Sequence, residues 1–153
     1  VTPRPAAPGD IDRIVAFMAP HVATGDLLPR TPDDVRRRLH EFLLLEAVAP
    51  DPRLVGMAAL HHYGADLAEI RSLAVDPQWA GRGYGRLLAT TLIDRARSDG
   101  LDRLIALTRR PEFFEHLGFR RSHIDALPEK VIRDCVLCPR RSCCDETAML
   151  LSL

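Results

Sequence analysis

From Glu69 to Gly85 the chain reads Glu-Ile-Arg-Ser-Leu-Ala-Val-Asp-Pro-Gln-Trp-Ala-Gly-Arg-Gly-Tyr-Gly, an apolar run carrying an acid and a base that leads into alternating glycines. Glycine lets a backbone turn sharply and approach a ligand. The unpaired N–H groups in the first turn of a following helix, with its dipole, attract an anion. The pattern therefore predicts a phosphate cradle built from Gln78, Ala80, Gly81, Arg82, Gly83, Tyr84, Gly85 and Arg86. Two other glycine cradles fail on spacing. A dinucleotide fingerprint needs G-x-G-x-x-G and an acid at the end of the next strand, where this chain has Thr108-Arg109. A P-loop needs a Lys directly after its last glycine, and none follows Gly81 or Gly83.

The elements that must hold this loop can be read from period and punctuation. Residues 2–6 form a short strand, and a helix from about Asp10 sets Ile11, Ile14, Val15 and Met18 on one face. Thr31-Pro-Asp-Asp34 reads as an N-cap with Pro at the first helical position, opening a helix with Val35, Leu39 and Phe42 spaced for burial. Strands over 43–48, 54–62 and 67–75 make a meander into the glycine loop, joined by Ala49-Pro-Asp-Pro-Arg53 and Gly64-Ala-Asp66. A helix from Gly83 to Asp99 faces Leu87, Leu88, Thr91, Leu92 and Ala96 inward and stops at Gly100. A strand over 103–108, a short helix over 111–117 and strands over 119–124 and 146–153 complete the chain. Strand-loop-helix-strand demands a parallel pair by a crossover, so the expectation is one α+β domain in three layers, spanning 1–153.

Gln78-x-x-Gly81-x-Gly83 resembles the pyrophosphate loop of the GCN5-related N-acetyltransferases, and the element order is similar to theirs. The resemblance implies the acyl-CoA N-acyltransferase fold, with a mixed, mostly antiparallel sheet whose parallel central strands splay. It also implies acetyl-CoA as cosubstrate, its pantetheine arm bonded by the backbone of Leu73, Ala74 and Val75. Residues 25–30, 69–75, 106–108, 113–119 and 127–131, and the tail 134–149, look like the single-domain bacterial N-acetylglutamate synthases. That likeness implies acetyl transfer to the α-amine of glutamate, the entry step of arginine biosynthesis. The larger synthases carry a kinase-like regulatory domain for which 153 residues leave no room.

An amino acid arrives as an ammonium ion and must lose a proton before its nitrogen attacks a thioester. Glu69, on the strand beside the cofactor, is the candidate base, acting directly or through water, and a backbone N–H near Leu73 or Ala74 the candidate oxyanion donor. Strict alternation puts Glu69, Arg71, Leu73 and Val75 on one face, and a bulge would re-aim some of them. Two carboxylates call for two cationic forks, for which Arg30 and Arg109 or Arg110 are first choices and Arg71 next. Phe114 stands where many acetyltransferases have a tyrosine acid. A thiol of pKa about 8.5 leaves readily as thiolate, so that acid is dispensable.

Net charge is zero, with 21 basic and 21 acidic residues, which gives no nucleic-acid footprint. Apolar runs such as 42–45 are too short to span a bilayer, and the amino terminus lacks signal-peptide features, so a cytoplasmic protein without membrane partners is expected, with homodimerisation open. Cys135, Cys138, Cys143 and Cys144 could bind zinc, with His123, another histidine or the fourth cysteine completing the set; reduced packing and adventitious disulfides are the alternatives. Two other functions keep the same loop. One is an acetyltransferase for another amine, such as an antibiotic or a protein N-terminus. The other is a non-catalytic module binding acetyl-CoA or metal.

Overall fold

The computed structural model describes residues 1–127 and 145–153. In chain order the elements are β1 (Pro3–Pro5), α1 (Ile11–Ala23), α2 (Pro32–Arg37), β2 (Phe42–Ala47), β3 (Arg53–His62), β4 (Leu67–Val75), α3 (Tyr84–Ser98), β5 (Arg103–Thr108), α4 (Pro111–Glu115), β6 (Arg120–Ser122) and β7 (Thr147–Ser152). The seven strands form one mixed sheet in the order β1-β2-β3-β4-β5-β7-β6. Antiparallel ladders join β1 to β2, β2 to β3, β5 to β7 and β6 to β7. The expected parallel pair is β4 with β5, in register over Leu67↔Arg103, Ala68↔Leu104 and Glu69↔Ile105. This is the α+β arrangement with a mixed, mostly antiparallel sheet that the sequence led us to expect.

Two compact units are distinguishable, one of Val1–Leu60 with Ile70–Leu92, the other of His61–Glu69 with Ile93–Leu153. In the first, Ile11, Ile14 and Met18 of α1 pack with Val35, Phe42, Leu44, Met57 and Ala59. Its β3 residues Leu54 to Leu60 are buried without alternation, as in a strand covered on both faces. Charge ties its edge together. Asp10 accepts from Arg4 at 2.8 and 2.9 Å and from Arg13 at 3.0 Å, and both arginines also reach Glu46, which links β1, α1 and β2. In the second unit Tyr63, Leu67, Ile105, Leu127 and Ala148 form a separate apolar cluster.

Thr31 caps α2 as expected, its hydroxyl accepting from the Asp34 N–H at 3.1 Å. The helix is shorter than its spacing suggested. Arg38 leaves helical geometry, Leu39–Glu41 make a 3-10 turn, and Phe42 is buried as the first residue of β2 rather than on a helix face. In α3, Leu88, Leu92 and Ala96 are fully buried with Ala89, whereas Leu87 and Thr91 lie at the boundary and Thr91 bonds the Leu87 carbonyl. The strand expected over 119–124 is only Arg120–Ser122, because Ile124–Ala126 turn away as a 3-10 helix. Likewise α4 ends at Glu115, its last turn closed by the Phe119 N–H on the Phe114 carbonyl.

Candidate functional site

The glycine loop is built as a cradle. Asp76 anchors it, its N–H donating to the Val55 carbonyl and its Oδ1 accepting from the Gln78 N–H at 2.9 Å. Pro77–Trp79 then make a 3-10 turn. Gly81 and Gly83 adopt φ of +76° and +81°, which side chains rarely tolerate, and no atom lies within 4 Å of where a Cβ would stand on either. That empty side is what close backbone approach to a phosphate requires. Gly85, by contrast, is an ordinary residue in the first turn of α3. Arg82 lies over the Trp79 ring at 4.7 Å and Arg53 at 5.8 Å, and Arg53 donates to Gln78 Oε1 at 3.2 Å. Tyr84 lies 6.0 Å from Trp79, ring to ring, and Arg86 is exposed.

In β4 the expected alternation breaks at Ser72, whose φ is +57°. Residues Leu67 to Ile70 are all buried, and Arg71, Ser72 and Leu73 are only partly so, with Ala74 buried and Val75 partly buried beyond them. A left-handed residue rotates the peptides on either side of it, so the Leu73 and Ala74 backbone does not continue the upstream pleat. Serine gives no warning of this.

Arg30 is the least expected charge in the structure. It lies between α1 and α2, after Gly25 has closed α1 with φ of +81° and Leu27 has turned inward. Its side chain is 10% exposed, and Nη1 is buried with no hydrogen-bond partner. The guanidinium sits over the Phe42 ring at 5.3 Å. Asp34 is 3.7 Å from its Nε, but the same carboxylate also faces Arg37 and Arg38. Burial, and next the charge of Arg71, hold Arg30 below the usual arginine range. Arg30 and Arg71 are thus electrostatic neighbours, although neither spacing nor period in the sequence relates them.

Glu69 is 3% exposed, and its Oε1 accepts a 2.9 Å hydrogen bond from the equally buried Tyr63 hydroxyl. Of the other two arginines, Arg109 is engaged with Asp145 at 3.1 Å, and Arg110 is exposed at the start of α4, its N–H donating to Thr108 Oγ1. Phe114 is buried edge-on against Phe119 and Phe113, at 5.2 and 5.1 Å. Cys135, Cys138, Cys143 and Cys144 lie outside the described residues. Among the described residues no cluster of His, Cys, Asp and Glu is placed to hold a metal, and no helix is long and apolar enough to cross a membrane.

The acetyltransferase (GNAT) family matches residues 15–119, which take in the loop, β4 and Glu69. The chain belongs to the GNAT acetyltransferase family. Within it, the chain is related to the amino-acid acetyltransferases. It is 40% identical over 136 residues to the amino-acid acetyltransferase of Neisseria meningitidis, covering 88% of this chain and 30% of that protein. It is 30% identical over 150 residues to an uncharacterized N-acetyltransferase of Chlorobaculum tepidum, covering 98% and 95% respectively. N-acetylglutamate synthase from Neisseria gonorrhoeae, solved with coenzyme A and N-acetyl-glutamate, superposes with a TM-score of 0.87 at 36% identity over 99% of this chain and 35% of that one. The chain thus spans about a third of the length of the Neisseria proteins it matches.

For a GNAT protein the site has two features that sequence alone did not disclose. Tyr63 is bonded to Glu69, and the only trace of this in sequence is a tyrosine and an acid flanking a Gly-Ala-Asp turn. Ser72 breaks the alternation of β4 just before Leu73 and Ala74, and carries no signature at all.

Proposed function

We propose that this GNAT protein acetylates the α-amine of a small anionic amino acid, glutamate first among them, using acetyl-CoA. The observation that carries the reading is Arg30, a cation buried to 10% exposure with an unpartnered Nη1 and Arg71 as a like-charged neighbour. Arg30 thus keeps an N–H end able to donate, in a buried place beside the partly buried charge of Arg71, a setting that favours a further anion. A substrate carboxylate fits that setting by accepting charge-assisted bonds that the guanidinium's fork of N–H donors offers in two places. Arg109 and Arg110 are the candidates for the second carboxylate, Arg109 by exchanging Asp145 for substrate.

Acetyl-CoA supplies an acetyl thioester, and the open faces of Gly81 and Gly83 suit its phosphates. Glu69, directly or through one water, takes a proton from the substrate ammonium. The freed nitrogen then bonds the acetyl carbon as the carbon–sulfur bond breaks. Backbone N–H at Leu73 or Ala74 holds the oxygen that gains charge, and the second amine proton passes to the departing sulfur or to water. Phe114, packed among aromatic rings, donates nothing, and a thiol of pKa about 8.5 leaves without an acid.

The test is thiol release with acetyl-CoA and a panel of amines: glutamate, glutamine, aspartate, an aminoglycoside and a peptide amino terminus. Preference for glutamate that disappears in Arg30→Ala supports the reading. A faster reaction with uncharged amines, indifferent to Arg30, turns it toward another acceptor, and no thiol release with any amine removes the enzymatic reading.

A further inference from the structure

We infer that Tyr63 is a positioning residue for Glu69, holding that carboxylate in its working orientation; this rests on Glu69 being the base. Tyr63 follows the last residue of β3, where its N–H donates to the Leu67 carbonyl at 2.7 Å and Gly64, with φ of +89°, reverses the chain. That short turn brings the ring back along β4. The ring is 3% exposed among Leu67, Ile105, Leu127 and Ala148, with His61 edge-on at 4.8 Å. Only its hydroxyl is polar, and that group reaches Glu69 Oε1 at 2.9 Å.

The direction of this bond fixes its effect. An ionised carboxylate only accepts, and a phenol of pKa near 10 keeps its proton at neutral pH, so Tyr63 donates. A donor fixed at one carboxylate oxygen sets which way the group faces, and a base must face the proton it takes. A ring fixed by apolar packing and the three-residue turn Gly64-Ala65-Asp66 also leaves the carboxylate few orientations. The apolar contacts of Tyr63 account for its burial, but they do not require a hydroxyl; phenylalanine would satisfy them all.

Tyr63→Phe isolates the hydroxyl, because ring and volume are kept. With glutamate as acceptor, kcat should fall roughly tenfold, the scale of one lost hydrogen bond to a charged group, with the KM for acetyl-CoA unchanged. Site-specific 3-fluorotyrosine at 63, which keeps the hydroxyl and the shape, should hold close to the wild-type kcat, and separates loss of the donor from loss of packing where the Phe variant folds poorly. Glu69→Gln should lower kcat further, and adding Tyr63→Phe to it should change nothing more. If Glu69→Gln loses turnover while Tyr63→Phe keeps the wild-type kcat, or costs as much again on top of Glu69→Gln, the positioning role fails while the base survives. If Glu69→Gln itself keeps the wild-type kcat, the base assignment fails and the role of Tyr63 falls with it.

Discussion

Arg30→Met exposes two opposite consequences of one buried charge. In the ligand-free protein the guanidinium is 10% exposed with Nη1 unpartnered, and Asp34 is shared with Arg37 and Arg38. A buried donor left without a partner costs about 1–3 kcal/mol. Methionine removes that cost, keeps contact with Phe42, and forfeits a cation–π interaction of about 1 kcal/mol. The expected net is between zero and about 2 kcal/mol of stabilisation without ligand. With glutamate the sign reverses. Losing a charge-assisted pair worth about 1.5–3 kcal/mol should raise the glutamate KM roughly 10- to 150-fold, with the KM for acetyl-CoA unaffected. Thermal melts read both effects at once. Glutamate at a hundred times its Kd should add about 2.7 kcal/mol to the wild type, and at the same concentration little to the variant. An Arg30→Met protein that melts well below wild type without ligand, and retains the wild-type glutamate KM, would refute the reasoning and make Arg30 a structural cation.

Gly83→Val should cost about 1–3 kcal/mol from its φ of +81° alone, with no steric clash in the ligand-free protein; calorimetry should show coenzyme A affinity falling by more than that, and equal affinity would rule out the loop as cradle. Gly56→Val should be worse for folding, since an added Cβ would lie 3.1 Å from Leu88 Cδ1 and 3.4 Å from the Ala74 carbonyl; a melting temperature within a degree of wild type would show that α3 gives way easily. Asp10→Asn should cost about 1–3 kcal/mol at neutral pH. Arg4, above all, holds the Asp10 carboxyl well below the usual range. The stability that it contributes is therefore present above the unfolded carboxylate pKa of about 3.9 and is lost as pH falls toward the lower folded value. Denaturation curves of the two proteins should converge as the solution becomes strongly acidic, and a constant difference down to low pH would exclude that ion pair as the cause.

Much of this protein is written locally. The bounds of β4 and β5 follow from apolar runs punctuated by turns, α2 begins where Thr31-Pro32 says it must, and the glycines at 81 and 83 specify a backbone that only they adopt readily. These features depend on steric limits and hydrogen bonds within a few residues, which a sequence displays directly. The end of α2 does not, because Phe42 has a helical spacing and yet gains more by pairing with Ala59 in the sheet. The chemistry depends still more on long-range folding. Arg30 feels the charge of Arg71 although the two stand 41 positions apart, Tyr63 reaches Glu69 only because Gly64 reverses the chain, and Ser72 takes a left-handed φ that its own side chain disfavours. Charge pairing, burial and backbone strain at those positions are imposed by packing against distant segments. The candidate residue types were therefore legible in the sequence, and the fold alone decided which of the arginines lie near each other and what holds the acid.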